Sequence, residues 1–169
     1  MKLAEAQPGK QGEVEEFKVE FTPEDMNVTI KEVIKETKKA VDITDAKVLV
    51  SGGRGIGSAD YYKELQKVAD LLGGEISSSR ANVDAGWIAK DRQVGQTGKT
   101  VRPDLYLACG ISGAIQHIAG MENSECVISI NKNDTAAIFD VSDLGIVGDV
   151  KVIIPKLIDA LTKYKAAQN

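Results

Sequence analysis

"KVLVSGGRGIGSADYYKELQKVADLLGGEISSSR", residues 47–80, passes from a short β-branched run through glycines into an amphipathic segment, and then into a second strand-like run. Leu65, Val68, Ala69 and Leu72 recur at helical spacing, and Gly73-Gly74 stops the helix. Residues 47–53 and 75–80 read as the strands on either side of it. The same alternation continues to the end of the chain. "DLYLACG" (104–110) is a third strand leading into "SGAIQHIAG", a short helix. "ECVISIN" (125–131) and "LGIVGD" (144–149) are the fourth and fifth strands, and residues 150–167 close the chain as an amphipathic helix with Pro155 in its first turns.

Strands alternating with helices predict an α/β fold: a doubly wound, mainly parallel five-stranded sheet with helices on both faces. Such sheets bind ligands outside the carboxyl ends of their strands. The glycine-rich and polar loops at 51–58, 77–99, 110–113, 131–135 and 148–150 all fall at those ends. Their common placement predicts a nucleotide-sized ligand.

Residues 1–45 have a different character. "EEFKVEF" (15–21) and "MNVTIKEVIKE" (26–36) alternate as two strands joined by Thr22-Pro23-Glu24-Asp25 would, with a connector after them. Two strands alone make a marginal unit. The expectation is a short N-terminal β-hairpin, either covering the main domain or left from another one, with the main domain spanning residues 46–169.

Composition narrows the function classes. A net charge of −4 provides no basic surplus to displace counterions, which argues against phosphate-driven nucleic-acid binding. No apolar run approaches the length of a membrane span. "MKLAEAQPGKQGEVEE" lacks the apolar centre of a signal peptide, so the expectation is a cytoplasmic chain, or a mitochondrial matrix protein without its targeting segment. Cys109 and Cys126 are too few for a disulfide framework or a metal cluster and read as small buried thiols. His117 is the sole histidine, so a site built on two histidines is excluded.

Three stretches carry candidate chemistry. Gly53-Arg54-Gly55-Ile56-Gly57 resembles a dinucleotide turn, but a serine stands where the third glycine belongs; Arg54 on that bare turn suits a phosphate, a carboxylate or a partner. In "LACGISGAIQH", Gly110 ends a strand, Ser112 can cap the helix, and Gly113 gives close backbone access, an arrangement suited to an anion. "SSSRANVDAGWIAKDRQVGQTGK" (77–99) is too long and too polar for a connector, and loops of this kind are functional or disordered. Its Ser79, Arg80, Gln96 and Thr97 supply the hydroxyls, amide and cation that a flavin ring needs at its N5, O4 and O2 positions. Trp87 reads as packing rather than stacking, within a short helix or cap that brings the loop ends together.

"LYLACGISGAIQHIAGMENSECVISIN", with "SGGRG", "SSSRANVDAGW" and "QVGQTGK" in order, resembles the electron transfer flavoprotein alpha subunit in its C-terminal FAD-binding domain. The resemblance covers about residues 46–165; the visible departure is Ser129, where alanine is usual. Residues 1–45 resemble the last strands of that family's N-terminal domain. The resemblance implies a FAD/NAD-binding, DHS-like fold and FAD as cofactor. It places Arg80 by the flavin ring, favouring its anionic reduced states. Gln96 and Thr97, flanked by Val94 and Gly95, would reach the N5–O4 edge, and His117 the O2 side. Ser112, with the turn Gly113, Ala114, Ile115 and Gln116, would meet the phosphate and ribitol region. Arg54, Ser79, Asn131 and Asp149, with Val150 beside it, would reach the adenosine and pyrophosphate.

It also implies an electron carrier with no bond-breaking active site of its own, paired with an electron transfer flavoprotein beta subunit. Such a carrier takes electrons from flavin dehydrogenases of the acyl-CoA dehydrogenase type and passes them to a quinone-linked or other acceptor. The alternatives are an NAD- or ADP-binding or assembly module without a redox-active flavin, and a part of a bifurcating variant that uses NADH.

Overall fold

The structure, a computed structural model, describes residues 9, 13–22 and 41–167. The chain divides into two compact units, Met1–Lys38 and Lys39–Asn169. In the first, the strand expected at residues 15–21 is not formed. Residues 13–22 are without helix or strand, and Phe17 is 86% exposed with Val14, Val19 and Phe21 also exposed. Alternation marks the two faces of a strand, but the strand itself exists only where a ladder pairs it. The second expected strand, 26–36, lies outside the described residues.

The second unit is built on five strands: β1 (Val48–Gly52), β2 (Glu75–Ser78), β3 (Leu105–Cys109), β4 (Val127–Asn131) and β5 (Leu144–Val147). They pair in the order β2-β1-β3-β4-β5, and every pairing is parallel. From β1 the chain winds to one side to make β2, and β3 begins on the other side. The switch point therefore lies between β1 and β3. Packing starts before the first strand, because Ile43 is fully buried in the core.

The two sheet faces are covered unequally. On one, Val50, Leu107, Cys109 and Ile130 pack under α1 (Tyr62–Leu72) and α4 (Val150–Ala166), which contribute Leu65, Val68, Ala69 and Ile154. Burying each large apolar side chain is worth about 1.5–3 kcal/mol, so this face anchors the fold. Gly73, with φ +68°, ends α1 as a left-handed C-terminal cap. The other face has no long helix among the described residues. It is covered by Ile43, Val94, Val101, Met121 and Ile138 from loops and short helical turns, including α3 (Ile115–Ile118) and a 3-10 turn at Ala137–Val141. Trp87 and Ile88, in the polar loop, pack partly buried against the α1–α4 side.

At the switch point the loops after β1 and β3 touch through their backbones. Gly53 N–H donates to the Cys109 carbonyl at 2.8 Å and Gly55 N–H to the Gly110 carbonyl at 3.0 Å. A Cβ on Gly55 would lie 2.7 Å from the Gly110 Cα. Gly55→Ala is therefore expected to destabilise the domain by about 1–3 kcal/mol through overpacking. Urea unfolding checks it, and an unchanged midpoint would contradict the close approach.

Candidate functional site

A cleft of about 800 Å³ opens where those two loops part, within the size range of small-molecule sites. Arg54 and Gly55 come from the loop after β1, and Gly110, Ile111, Ser112 and Ala114 from the loop after β3. Gln116 and His117 of α3, Asn131 at the end of β4, and the polar loop's Ser79–Ala81 and 93–97 complete the wall. The lining holds two arginines and no carboxylate. A diphosphate-bearing ligand needs that balance of charge.

The long polar loop is ordered by its own chemistry. It folds into α2 (Arg80–Asp84) and a 3-10 turn at Lys90–Arg92. Arg92 pairs with Glu75 at 2.7 Å and Val94 N–H donates to the Ser78 carbonyl at 2.9 Å, so the loop returns along β2. Gln93 Nε2 donates to Thr97 Oγ1 at 3.0 Å, and Gln96 N–H to the Gln116 carbonyl at 2.7 Å. Arg80 Nε meets Asp84 Oδ2 at 3.2 Å across one helical turn, an exposed pair of small worth. Arg54 enters no ion pair among the described residues.

His117 is only 6% exposed. Its Nδ1 lies 3.1 Å from the Val94 carbonyl and its Nε2 lies 3.0 Å from the Tyr106 hydroxyl. Burial pulls its pKa down to about 4, against the smaller opposing effect of the Val94 carbonyl. Burial likewise pushes the Tyr106 phenol well above its ordinary value. The Ser51 and Ser77 hydroxyls are near enough to Tyr106 to temper that rise, yet both lie outside hydrogen-bond geometry.

Most residues singled out from the sequence meet in this cleft; Gly113, Ile115, Asp149 and Val150 do not line it. Gly113 has φ +87°, and a Cβ there would collide with the backbone at Ile138, so its need for glycine is structural. Ile115 is exposed, and Val150, the first residue of α4, is buried in the core on the α1–α4 side. Asp149 caps α4, accepting from Lys151 N–H at 2.8 Å, and pairs with Lys132 at 2.9 Å. Those contacts hold its carboxyl below the usual range, the Lys132 contact first. Ser112 does not cap α3, whose N-cap is Ala114; its side chain remains on the cleft wall. The sequence reading missed Gly55, Ala81, Gln93, Gly110 and Ile111, which also line the cleft. All five were within quoted motifs, but only packing shows that they face inward. Ser129, the departure from the family pattern, finds a partner in the Ser142 hydroxyl at 2.6 Å.

An all-parallel α/β sheet with an electropositive cleft at its switch point defines a domain of the nucleotide-binding class. Residues 42–122 match the family described as electron transfer flavoprotein FAD-binding domain, and through this domain the chain belongs to the electron transfer flavoprotein alpha family. It is 51% identical over 165 residues to the electron transfer flavoprotein subunit alpha of Thermoanaerobacterium thermosaccharolyticum, covering 98% of this chain and 50% of that protein. Against the subunit alpha of Bacillus subtilis it is 45% identical over 157 residues, 93% of this chain and 48% of the relative. It is also 50% identical over 153 residues to the acryloyl-CoA reductase electron transfer subunit beta of Anaerotignum propionicum, 88% of this chain and 41% of that one. The chain spans about half the length of the curated relatives it matches. Among the described residues no helix is long and apolar enough to cross a membrane.

The buried histidine makes stability depend on pH. In the folded chain His117 stays neutral until about pH 4, whereas an unfolded histidine takes up a proton below about 6.5. Stability is therefore expected to fall, by on the order of 3 kcal/mol, as pH drops from about 6.5 to about 4, and this contribution then levels off. Asp42 and Asp149, held low by lysine partners, add their losses only below that window, near the ordinary carboxylate range. Denaturant unfolding across pH 4–7 should show the slope, and His117→Gln should flatten it.

Proposed function

We propose that this chain is the FAD-binding part of an electron transfer flavoprotein, in which the cleft at the switch point holds FAD. The observation that carries this reading is the lining itself: two arginines, amide and hydroxyl side chains, and no acid, at the ligand end of a parallel sheet. Bound FAD would supply the redox chemistry, accepting and releasing electrons at its ring system.

The protein's residues act by position and charge. Arg80, with Gln96 and Thr97 also on the cleft wall, would face the flavin ring and favour negative charge there. Nε of Arg80 is engaged by Asp84, so its terminal nitrogens serve the ligand. Arg54, Ser112 and the opening N–H groups of α3 meet the diphosphate. In the turn after β1, Gly53 and Gly55 N–H are already spent on β3 and its loop, which shifts anion binding toward α3 and Arg54. Ser79 and Asn131 border the remaining length of the ligand. No side chain has to make or break a substrate bond.

In this reading an electron transfer flavoprotein beta subunit completes the carrier. Electrons arrive from flavin dehydrogenases of the acyl-CoA dehydrogenase type and leave to a quinone-linked or other acceptor. The relative named for acryloyl-CoA reductase supports a partner that works on acyl-CoA thioesters.

Titration with FAD, alone and with a beta subunit present, is expected to quench flavin fluorescence and give a protein-bound flavin spectrum. Absence of both effects with the beta subunit present would overturn the proposal. Arg80→Ala should weaken FAD binding about tenfold, the loss expected for a hydrogen bond to a charged group.

A further inference from the structure

His117 is held from two sides, and the chemistry of its partners allows only one arrangement of protons. The Val94 carbonyl can only accept, so Nδ1 must carry the hydrogen that spans their 3.1 Å. The neutral ring then has a bare Nε2, and the Tyr106 hydroxyl, 3.0 Å away, must donate to it. Tyr106 is fully buried on β3. Ser51 and Ser77, register partners on β1 and β2, lie on the same sheet face as the Tyr106 ring, and their hydroxyls are completely buried without a hydrogen-bond partner. Both lie near enough to the phenol to influence it, though neither hydrogen-bonds to it.

We propose that Tyr106 is a positioning residue of the cleft: its hydroxyl donates to Nε2 and so holds the His117 ring, whose tautomer the Val94 carbonyl sets, against the Val94 edge of the ligand loop. The chain of contacts Tyr106–His117–Val94 joins β3, α3 and the loop that carries Gln96 and Thr97. Gln96 N–H, donating to the Gln116 carbonyl beside His117, fastens the same loop to the same helix at 2.7 Å. Without the phenol hydroxyl Nε2 loses its donor, and the ring is held from one side only. The Nδ1–H contact with the Val94 carbonyl then has to fix the ring alone, which loosens the loop. The part of the proposal that concerns ligand affinity rests on the FAD reading above; the part that concerns the ring does not.

The chain has a single histidine, so long-range proton–nitrogen correlation spectra of the labelled protein at neutral pH report His117 alone. Without ligand, the wild-type protein is expected to show a protonated Nδ1 and a bare Nε2. In Tyr106→Phe Nδ1 should stay protonated while the Nε2 resonance shifts to that of a bare nitrogen without a hydrogen bond, and FAD affinity, measured with the beta subunit present, should fall about threefold to tenfold, the effect of one hydrogen bond. Ser129→Ala, on the same face but outside the cluster, should leave both readouts unchanged. A wild-type ring protonated on Nε2 would overturn the proposal whether or not Tyr106→Phe folds. So would an Nε2 resonance unmoved in Tyr106→Phe, or an unchanged FAD affinity beside a shifted Nε2 resonance. Failure of both proteins to bind FAD would count against the FAD reading, and the spectra would still decide whether Tyr106 holds the ring.

Discussion

The backbone contact between the loops after β1 and β3 sets the geometry on which the cleft depends. Gly53 and Gly55 donate to the carbonyls of Cys109 and Gly110, and Gly55 and Gly110 approach so closely that neither can carry a side chain. The two strands are therefore kept in register up to their last residue. Beyond that point the chain must diverge, since β1 continues toward β2 while β3 continues toward β4. Divergence from a fixed contact opens a cleft with a rigid floor. The same contact consumes the N–H groups that a dinucleotide turn would offer to phosphate. Arg54, in the middle of that locked turn, still lines the cleft, and under the FAD proposal it would meet the anion in their place.

The long polar loop closes the cleft by a second set of constraints. Arg92 is clamped to Glu75, Val94 joins the edge of β2, and Lys99 pairs with Asp42 at 2.8 Å. Between these fastenings Gly95 passes so close to Gly120 that a Cβ on Gly120 would meet the Gly95 backbone. The loop is thus seated against α3 and its following turn. Two ion pairs, a backbone bond and a glycine contact together give loop residues the fixed positions that a binding wall requires.

Much of this was legible in the sequence for a physical reason. Leu65, Val68, Ala69 and Leu72 repeat with the period of a helix, and the strands are apolar because a central parallel strand is buried on both faces. Glycine clusters mark where those strands end. What stayed hidden depends on distant partners. Asp149 at a strand end suits either a ribose or a helix N-terminus, and only the position of Lys151 N–H shows that it caps α4. Val150 follows it in sequence, yet the first turn of α4 rotates its side chain into the core. Residues 15–21 alternate as a strand should, but alternation carries no information about the partner that would pair them. The unequal cover of the two faces was equally unreadable, because loops and short turns that fill a core, such as those bearing Val94, Val101 and Ile138, have no period.

That inequality is the clue to how stability and recognition are divided in this domain. The α1–α4 face is sealed by apolar side chains and a hydrogen-bonded network in which Tyr62 Oη donates to Ser78 Oγ at 2.6 Å and accepts from Asn82 Nδ2 at 2.9 Å, with Asn82 Oδ1 left without a partner. The opposite face places Ser51, Ser77, Tyr106 and Ser129 on the sheet itself. Buried hydroxyls cost about 1–3 kcal/mol each where they lack a partner, and Ser51 and Ser77 have none. A sheet selected for stability alone would carry valine at such positions. Ser51 and Ser77 share their sheet face with Tyr106, so hydroxyls rather than apolar groups back the part of the sheet that carries the partner of His117. The long helices on the far side supply the stability that makes such a face tolerable.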